Sequence, residues 1–195
     1  MVPARLLLSV AVATLFCSFA SATTVYVDQS YGSGGDGTSE APYEKVQEAI
    51  DDAESTEIII LPGAYTENIL VSKDIAIRAY DGPHTTVLDG SMRLERDDVV
   101  TLSEGIEVTL EGLKIGSGRY GVYIPADTTA RMHNCVVCSN ESHGVYIHNM
   151  DNTKPPTLLL RNNVIIANGE SGLYFFARTW IGGSYHPPHL SCFGN

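Results

Sequence analysis

Between residues 108 and 176 one pattern is written three times, and it leaves little choice of fold. An apolar-rich octet (108–115, 130–137, 158–165) is followed each time by glycine, an aliphatic residue, tyrosine and a second apolar residue. These endings are Gly121-Val122-Tyr123-Ile124, Gly144-Val145-Tyr146-Ile147 and Gly172-Leu173-Tyr174-Phe175. A repeat of roughly two dozen residues, built from short apolar runs and punctuated by Gly and Asn, is the signature of a solenoid of stacked strands. The last period is longer, and the excess falls in a polar insertion at 149–156 whose Pro155-Pro156 cannot lie in a central strand.

Each repeat resolves into three strands, for example 144–148, 158–161 and 163–166, with Asn162 at the corner between the last two. Asn tolerates the left-handed conformation that a one-residue corner needs, so Asn134 and Asn162 stack as successive corners. The two-residue period of a strand places Val122, Ile124, Val145, Ile147, Leu173 and Phe175 inside. Burying each aliphatic contributes roughly 1.5–3 kcal/mol, so the register that buries tyrosine instead loses. Tyr123, Tyr146 and Tyr174 then form an outward ladder. On the neighbouring sheet the outward column is Glu111, His133 and Arg161, complementary charges in a structural role.

The chain opens with Arg5, an apolar run at 6–20 and the small residues Ala20-Ser21-Ala22, read as a secretory signal (1–22) cleaved after Ala22. The run is too short to span a membrane. The expected product is one domain, 23–195, secreted to an extracellular or periplasmic space. The net charge is −11, and loss of Arg5 makes the mature chain one unit more negative. That excludes nucleic acid as a partner, because phosphates need a basic face. A polyuronate would need a bridging cation such as Ca²⁺, and neutral glycans fit this field directly. Cys135, Cys138 and Cys192 give no even set for disulfides, and Val136-Val137 between two of them scatters ligands over both faces of a strand, against a zinc site. Asn140-Glu141-Ser142 is a glycosylation sequon in an expected turn, with Asn140 the acceptor in a eukaryotic host.

Along the chain, 24–28 reads as a strand and the Gly-rich 30–39 as a flexible loop. No Gly-Lys-Ser/Thr follows, so it is not a phosphate cradle. A helix from Pro42 through Ala53 carries Val46, Ala49, Ile50 and Ala53 on one stripe and is expected to cap the first coil. Strands at 57–61, 69–71 and 75–78 make that coil, and 99–102 opens the second. Residues 190–195 resemble another second strand running into a corner Asn195. That reading leaves an open C-terminal coil able to accept a strand from a second copy or a partner.

From Val25 to Phe176 the chain resembles the pectin-lyase-like right-handed parallel β-helix superfamily. The resemblance is carried by Tyr26-Val27-Asp28, Gly35-Asp36-Gly37-Thr38, Pro42-Tyr43, residues 46–50, residues 58–67 and Thr86-Val87-Leu88-Asp89-Gly90. It implies an all-β solenoid of about five coils with an N-terminal capping helix. It does not fix the chemistry, because one fold hosts lyases, hydrolases, epimerases, esterases and adhesins. Pectinesterases place glutamines and aspartates where this chain has Tyr120, His143 and Gly172, so ester hydrolysis is rejected. The Asp-Pro-His-Glu of alginate epimerases is absent, and no motif matches the arginine base or Ca²⁺-holding aspartates of pectate lyases. Candidate chemistry gathers around the tyrosine ladder: His148, Asp151 and Arg178 as catalytic groups, and Tyr123, Tyr146 and Tyr174 as the sugar platform. Three readings follow: a secreted protein that binds extracellular polysaccharide and cleaves it as a lyase or hydrolase, a non-catalytic adhesion or structural solenoid, or the N-terminal part of a longer enzyme.

Overall fold

The computed structural model describes residues 22–91, 98–149, 154–177 and 189–193, the last five and residue 177 by their backbone alone. Its strands run β1 (Thr24–Val27), β2 (Glu57–Ile60), β3 (Gly63–Thr66), β4 (Ile69–Val71), β5 (Ile75–Ala79), β6 (Thr86–Asp89), β7 (Val100–Leu102), β8 (Glu107–Glu111) and β9 (Lys114–Gly116). They continue as β10 (Val122–Ile124), β11 (Thr129–His133), β12 (Val136–Cys138), β13 (Val145–Asn149), β14 (Thr157–Arg161), β15 (Val164–Ile166), β16 (Leu173–Ala177) and β17 (His189–Phe193). Every pairing is parallel and joins equivalent positions of successive turns. Three sheets result. Sheet A has the order β1-β2-β5-β8-β11-β14-β17, sheet B β15-β12-β9-β6-β3, and sheet C β16-β13-β10-β7-β4. Five complete A-B-C coils, β2–β4 through β14–β16, therefore stack as a right-handed parallel β-helix.

The alternation expected from the repeats holds. Val122, Ile124, Val145 and Ile147 are fully buried, and Leu173 and Phe175 pack half-buried against the same core. The corners are built as the asparagines suggested: Asn134 and Asn162 both have φ 54°, and Gly112 takes the equivalent place one coil earlier at φ 68°. A second stack of left-handed residues, Ser117, Ser139 and Ala167, turns sheet B toward sheet C. Next to the Asn162 corner, a half-buried amide ties the coils together. Asn163 Oδ1 accepts from Cys135 N–H (2.8 Å), and Asn163 Nδ2 donates to Met132 O (2.7 Å).

The N-terminal coils differ from the sequence expectation in three places. Residues 63–66 form β3, so 75–78 opens the second coil instead of completing the first. The reason is Tyr65, which points inward against the tyrosine rule. Its hydroxyl is satisfied by Leu61 O (2.9 Å) and Val27 O (3.2 Å), and burial pushes its pKa to about 12. The helix α1 covers only Val46–Asp51, because Tyr43 is held extended by hydrogen bonds to Tyr26 O and from Asp28 N–H, both 2.9 Å; Ala53 is exposed. The Gly-rich loop is used as structure: Gly37 O accepts from Tyr26 N–H, sealing the outer edge of β1. A Cβ on Gly35 would sit 1.8 Å from Pro42 O, which requires glycine there.

As expected, α1 serves as a cap. It packs on β1, β2 and β4, with Val46, Ala49 and Ile50 buried. Gln47 imitates a strand, its side-chain amide accepting from Leu70 N–H (2.8 Å) and donating to Leu70 O (3.2 Å), so the edge of sheet C is occupied. Glu67 receives the Val46 and Gln47 N–H groups of the helix start at 2.9 and 3.1 Å.

Two expectations follow. Tyr65→Phe removes two hydrogen bonds from the hydroxyl of a buried ring without changing shape and should cost about 1–2 kcal/mol, read as a lower denaturation midpoint at constant slope. Burial raises the Glu67 pKa above its ordinary value. Its stabilising proton is held in full below the unfolded-state pKa and lost as pH rises through the raised folded value, so the stability of wild type relative to Glu67→Gln should fall as pH rises above the ordinary carboxylate range in urea titrations.

Candidate functional site

Outward positions of sheet C carry the ladder. Tyr123 pairs in register with Tyr146, and Tyr146 with Tyr174. Their ring centroids are 5.7 and 5.6 Å apart with planes within about 17° of parallel. Two rings that the sequence reading assigned no part in it complete the array. Tyr120 stacks on Tyr146 at 4.3 Å and 2°, and His143 on Tyr174 at 4.4 Å and 1°. Each comes just before the glycine that opens a repeat. A Cβ at Gly121 would meet Gly144 O at 2.6 Å, and one at Gly144 would meet Gly172 O at 2.6 Å. The bare backbone therefore lets the chain turn tightly into sheet C, with Tyr120 and His143 tucked against the ladder at 7% and 6% exposure. Arg119 closes one end, its guanidinium carbon 4.6 Å from the Tyr120 centroid. The repeat glycines were the available signal for these two residues.

This geometry revises the expected sugar platform. Rings that stack on one another have spent their faces, so Tyr123 and Tyr146 offer edges and hydroxyls instead of flat surfaces. Burial first, then the neighbouring Tyr120 and Tyr174, hold the Tyr146 phenol above the ordinary tyrosine pKa, so it stays a protonated donor. The well-exposed rings are Tyr174 and Phe176, at 39% and 41%. His148 is the next outward residue of β13, paired with Phe176 of β16 and edge-on to Tyr123, Tyr146 and Phe176. The Tyr123 hydroxyl and His148 Nδ1 share a hydrogen bond of 2.5 Å. His143 places Nε2 3.2 Å from Glu170 Oε2, while its buried Nδ1 has no partner among the described residues.

The structure thus joins His148 to the three tyrosines. Asp151 and Arg178 lie outside the described residues, as do residues 1–21 and Asn195. Asn140 is 3% exposed. Its Nδ2, the atom a glycan would join, donates to Asn168 Oδ1 (2.9 Å), and its Oδ1 accepts from Gly118 N–H (3.2 Å), so attachment would have to open the coil. Cys135 points inward, its thiol pushed to about 11 by burial, while Cys138 is half-exposed; both are free. Among the described residues no three of His, Cys, Asp and Glu converge as a metal site, so they supply no cage for Ca²⁺. The charged column on sheet A is present in register, Glu111 beside His133 beside Arg161, and Arg78 extends it by bonding both Glu57 and Glu111. Burial, then Arg161, Arg78 and Arg131, lower the His133 pKa. No helix among the described residues is long and apolar enough to cross a membrane.

Three parallel sheets in strict register, with left-handed corners stacked between A and B, decide the architecture. The fold is a right-handed parallel β-helix. No protein-family model matches the chain. Over 108 residues, 54% of this chain, the sequence is 29% identical to a cell surface glycoprotein of Methanothermus fervidus. The match spans 16% of that relative's length. Among solved structures, a pectin methylesterase mutant in complex with a hexasaccharide aligns at a TM-score of 0.45 and 11% identity, over 72% of this β-helix and 56% of the methylesterase chain.

Tyr146 touches five other aromatic rings. Tyr146→Leu keeps an apolar body on the strand and removes the ring through which Tyr120, Tyr123 and Tyr174 are joined, so it should lower stability by about 1–3 kcal/mol and weaken the near-ultraviolet circular dichroism of the coupled tyrosines.

Proposed function

We propose that this protein is a secreted, surface-associated β-helix module that binds extracellular polysaccharide along sheet C. The observation that carries this reading is the aromatic array, which runs through three coils and ends in the exposed rings of Tyr174 and Phe176. Phenol hydroxyls repeated at the coil spacing are donors and acceptors suited to a polymer that also repeats. Tyr174 and Phe176 supply the faces on which a sugar ring stacks. The similarity to part of a protein named as a cell surface glycoprotein supports a surface location. The acidic chain favours a neutral glycan, or an acidic one bridged by cations.

A second reading is favoured by one contact. With its Nδ1 unprotonated, His148 accepts the Tyr123 hydroxyl proton, and a phenolate so formed is a base. At a uronate bound over sheet C it would remove the proton at C5. The bond from C4 to the glycosidic oxygen would break, a C4–C5 double bond would form, and the leaving oxygen would take a proton from solvent or a neighbouring acid. In this reading Asp151 and Arg178 serve as the acid and the carboxylate clamp. New unsaturated ends in a polysaccharide digest would establish it, and their absence with intact binding leaves the module non-catalytic.

The binding reading is tested by removing only the hydroxyls. Tyr123→Phe/Tyr146→Phe keeps the stacks, so its folding should stay close to wild type, and it should weaken capture of the polysaccharide that wild type binds by about tenfold or more, corresponding to about 1.4 kcal/mol. An unchanged affinity would remove the hydroxyl row from the binding surface.

A further inference from the structure

Away from sheet C, the corner between sheets A and B in the second and third coils holds a groove of about 330 Å³. Its floor is bare because two left-handed glycines nest there. Gly82 has φ 89° and Gly112 φ 68°, and a Cβ on Gly112 would lie 3.3 Å from Gly82 Cα. Above that floor stands Tyr80, 69% exposed, whose side chain has no ring contact and no hydrogen bond among the described residues. This separates it from Tyr123 and Tyr146 of sheet C, which stack on each other. The polar wall is Arg78, Glu111 and Asn134. Arg78 Nη1 donates to Glu111 Oε2, and Arg78 Nε to Glu57 Oε1 at 3.0 Å. Glu111 Oε1, Arg78 Nη2 and the exposed Asn134 amide have no partner among the described residues.

We infer that this groove is a second carbohydrate subsite, taking one or two neutral pyranose rings of a glycan with Tyr80 as the stacking platform. An exposed aromatic face beside a free carboxylate oxygen, a free guanidinium N–H and an amide matches a pyranose, which has one apolar face and a rim of hydroxyls that both donate and accept. Glu111 accepts from one hydroxyl while Arg78 donates to its neighbour. The ligand is neutral because Arg78 is already shared between Glu57 and Glu111, leaving no net positive charge to hold a carboxylate or sulfate. The volume sits at the small end of ligand pockets, in keeping with a subsite that touches one stretch of a polymer. The subsite is independent of sheet C, so either surface can fail without the other.

The test uses isothermal titration calorimetry of the whole chain with cellohexaose, mannohexaose and hexagalacturonate, comparing wild type, Tyr80→Ala and Tyr174→Ala. The Tyr80 side chain is mostly exposed and makes no hydrogen bond among the described residues, so its removal leaves the fold intact, verified by an unchanged melting curve. The expected result is that wild type binds a neutral hexasaccharide, Tyr80→Ala weakens that binding at least tenfold, and Tyr174→Ala leaves a component with the wild-type constant. The inference is overturned if wild type binds neither neutral probe, if Tyr80→Ala binds as wild type does, or if Tyr174→Ala alone abolishes binding. Tyr80-dependent binding of hexagalacturonate as tight as that of the neutral probes would overturn the neutral class.

Discussion

Parallel hydrogen bonding between equivalent residues of successive coils is the constraint from which the rest of this molecule follows. Strands about 4.8 Å apart cannot be offset by a single residue without turning every inward side chain outward. The register therefore repeats through sheets A, B and C. Whatever a repeat places at one position becomes a column. Aliphatic residues become a continuous core, corner asparagines a line of left-handed turns, and the amides of buried Asn140 and half-buried Asn168 a ladder that crosses between coils. Tyrosine, placed outward three times, becomes a stack.

That stack shows how the backbone spacing shapes chemistry. Ring centroids along the ladder stand 5.6–5.7 Å apart, too far for close face-to-face contact, and Tyr120 and His143 fill the offset with partners at 4.3 and 4.4 Å. The outcome is a rigid surface that presents hydroxyl edges through three coils and free faces at Tyr174 and Phe176. Such a surface suits a ligand that is itself periodic. Along it the Tyr123 hydroxyl and His148 Nδ1 are held at hydrogen-bond distance, as are His143 and Glu170.

Strand alternation, the Asn134 and Asn162 corners and the Tyr123-Tyr146-Tyr174 column were legible in the sequence, because each depends only on local periodicity and a repeat that reports its own register. What escaped it depends on satisfaction at a distance. Tyr65 turns inward with its hydroxyl donating to the carbonyls of Leu61 and of Val27, the latter far away in the sequence, and β3 is built around it. The helix starts late because Tyr43 is committed to the edge of β1. Tyr120 and His143 join the array because the glycines after them bring successive backbones too close for any side chain, which residue types alone do not reveal.

The claim that sheet C meets its ligand through tyrosine hydroxyls is most directly tested by nuclear magnetic resonance of protein labelled with ¹³Cζ-tyrosine, titrated with the polysaccharide it captures. The phenol carbons of Tyr123, Tyr146 and Tyr174 should shift together in a saturable manner, while that of buried Tyr65 stays fixed. Binding that leaves all three carbons unmoved would contradict the account and place the ligand on another face of the helix.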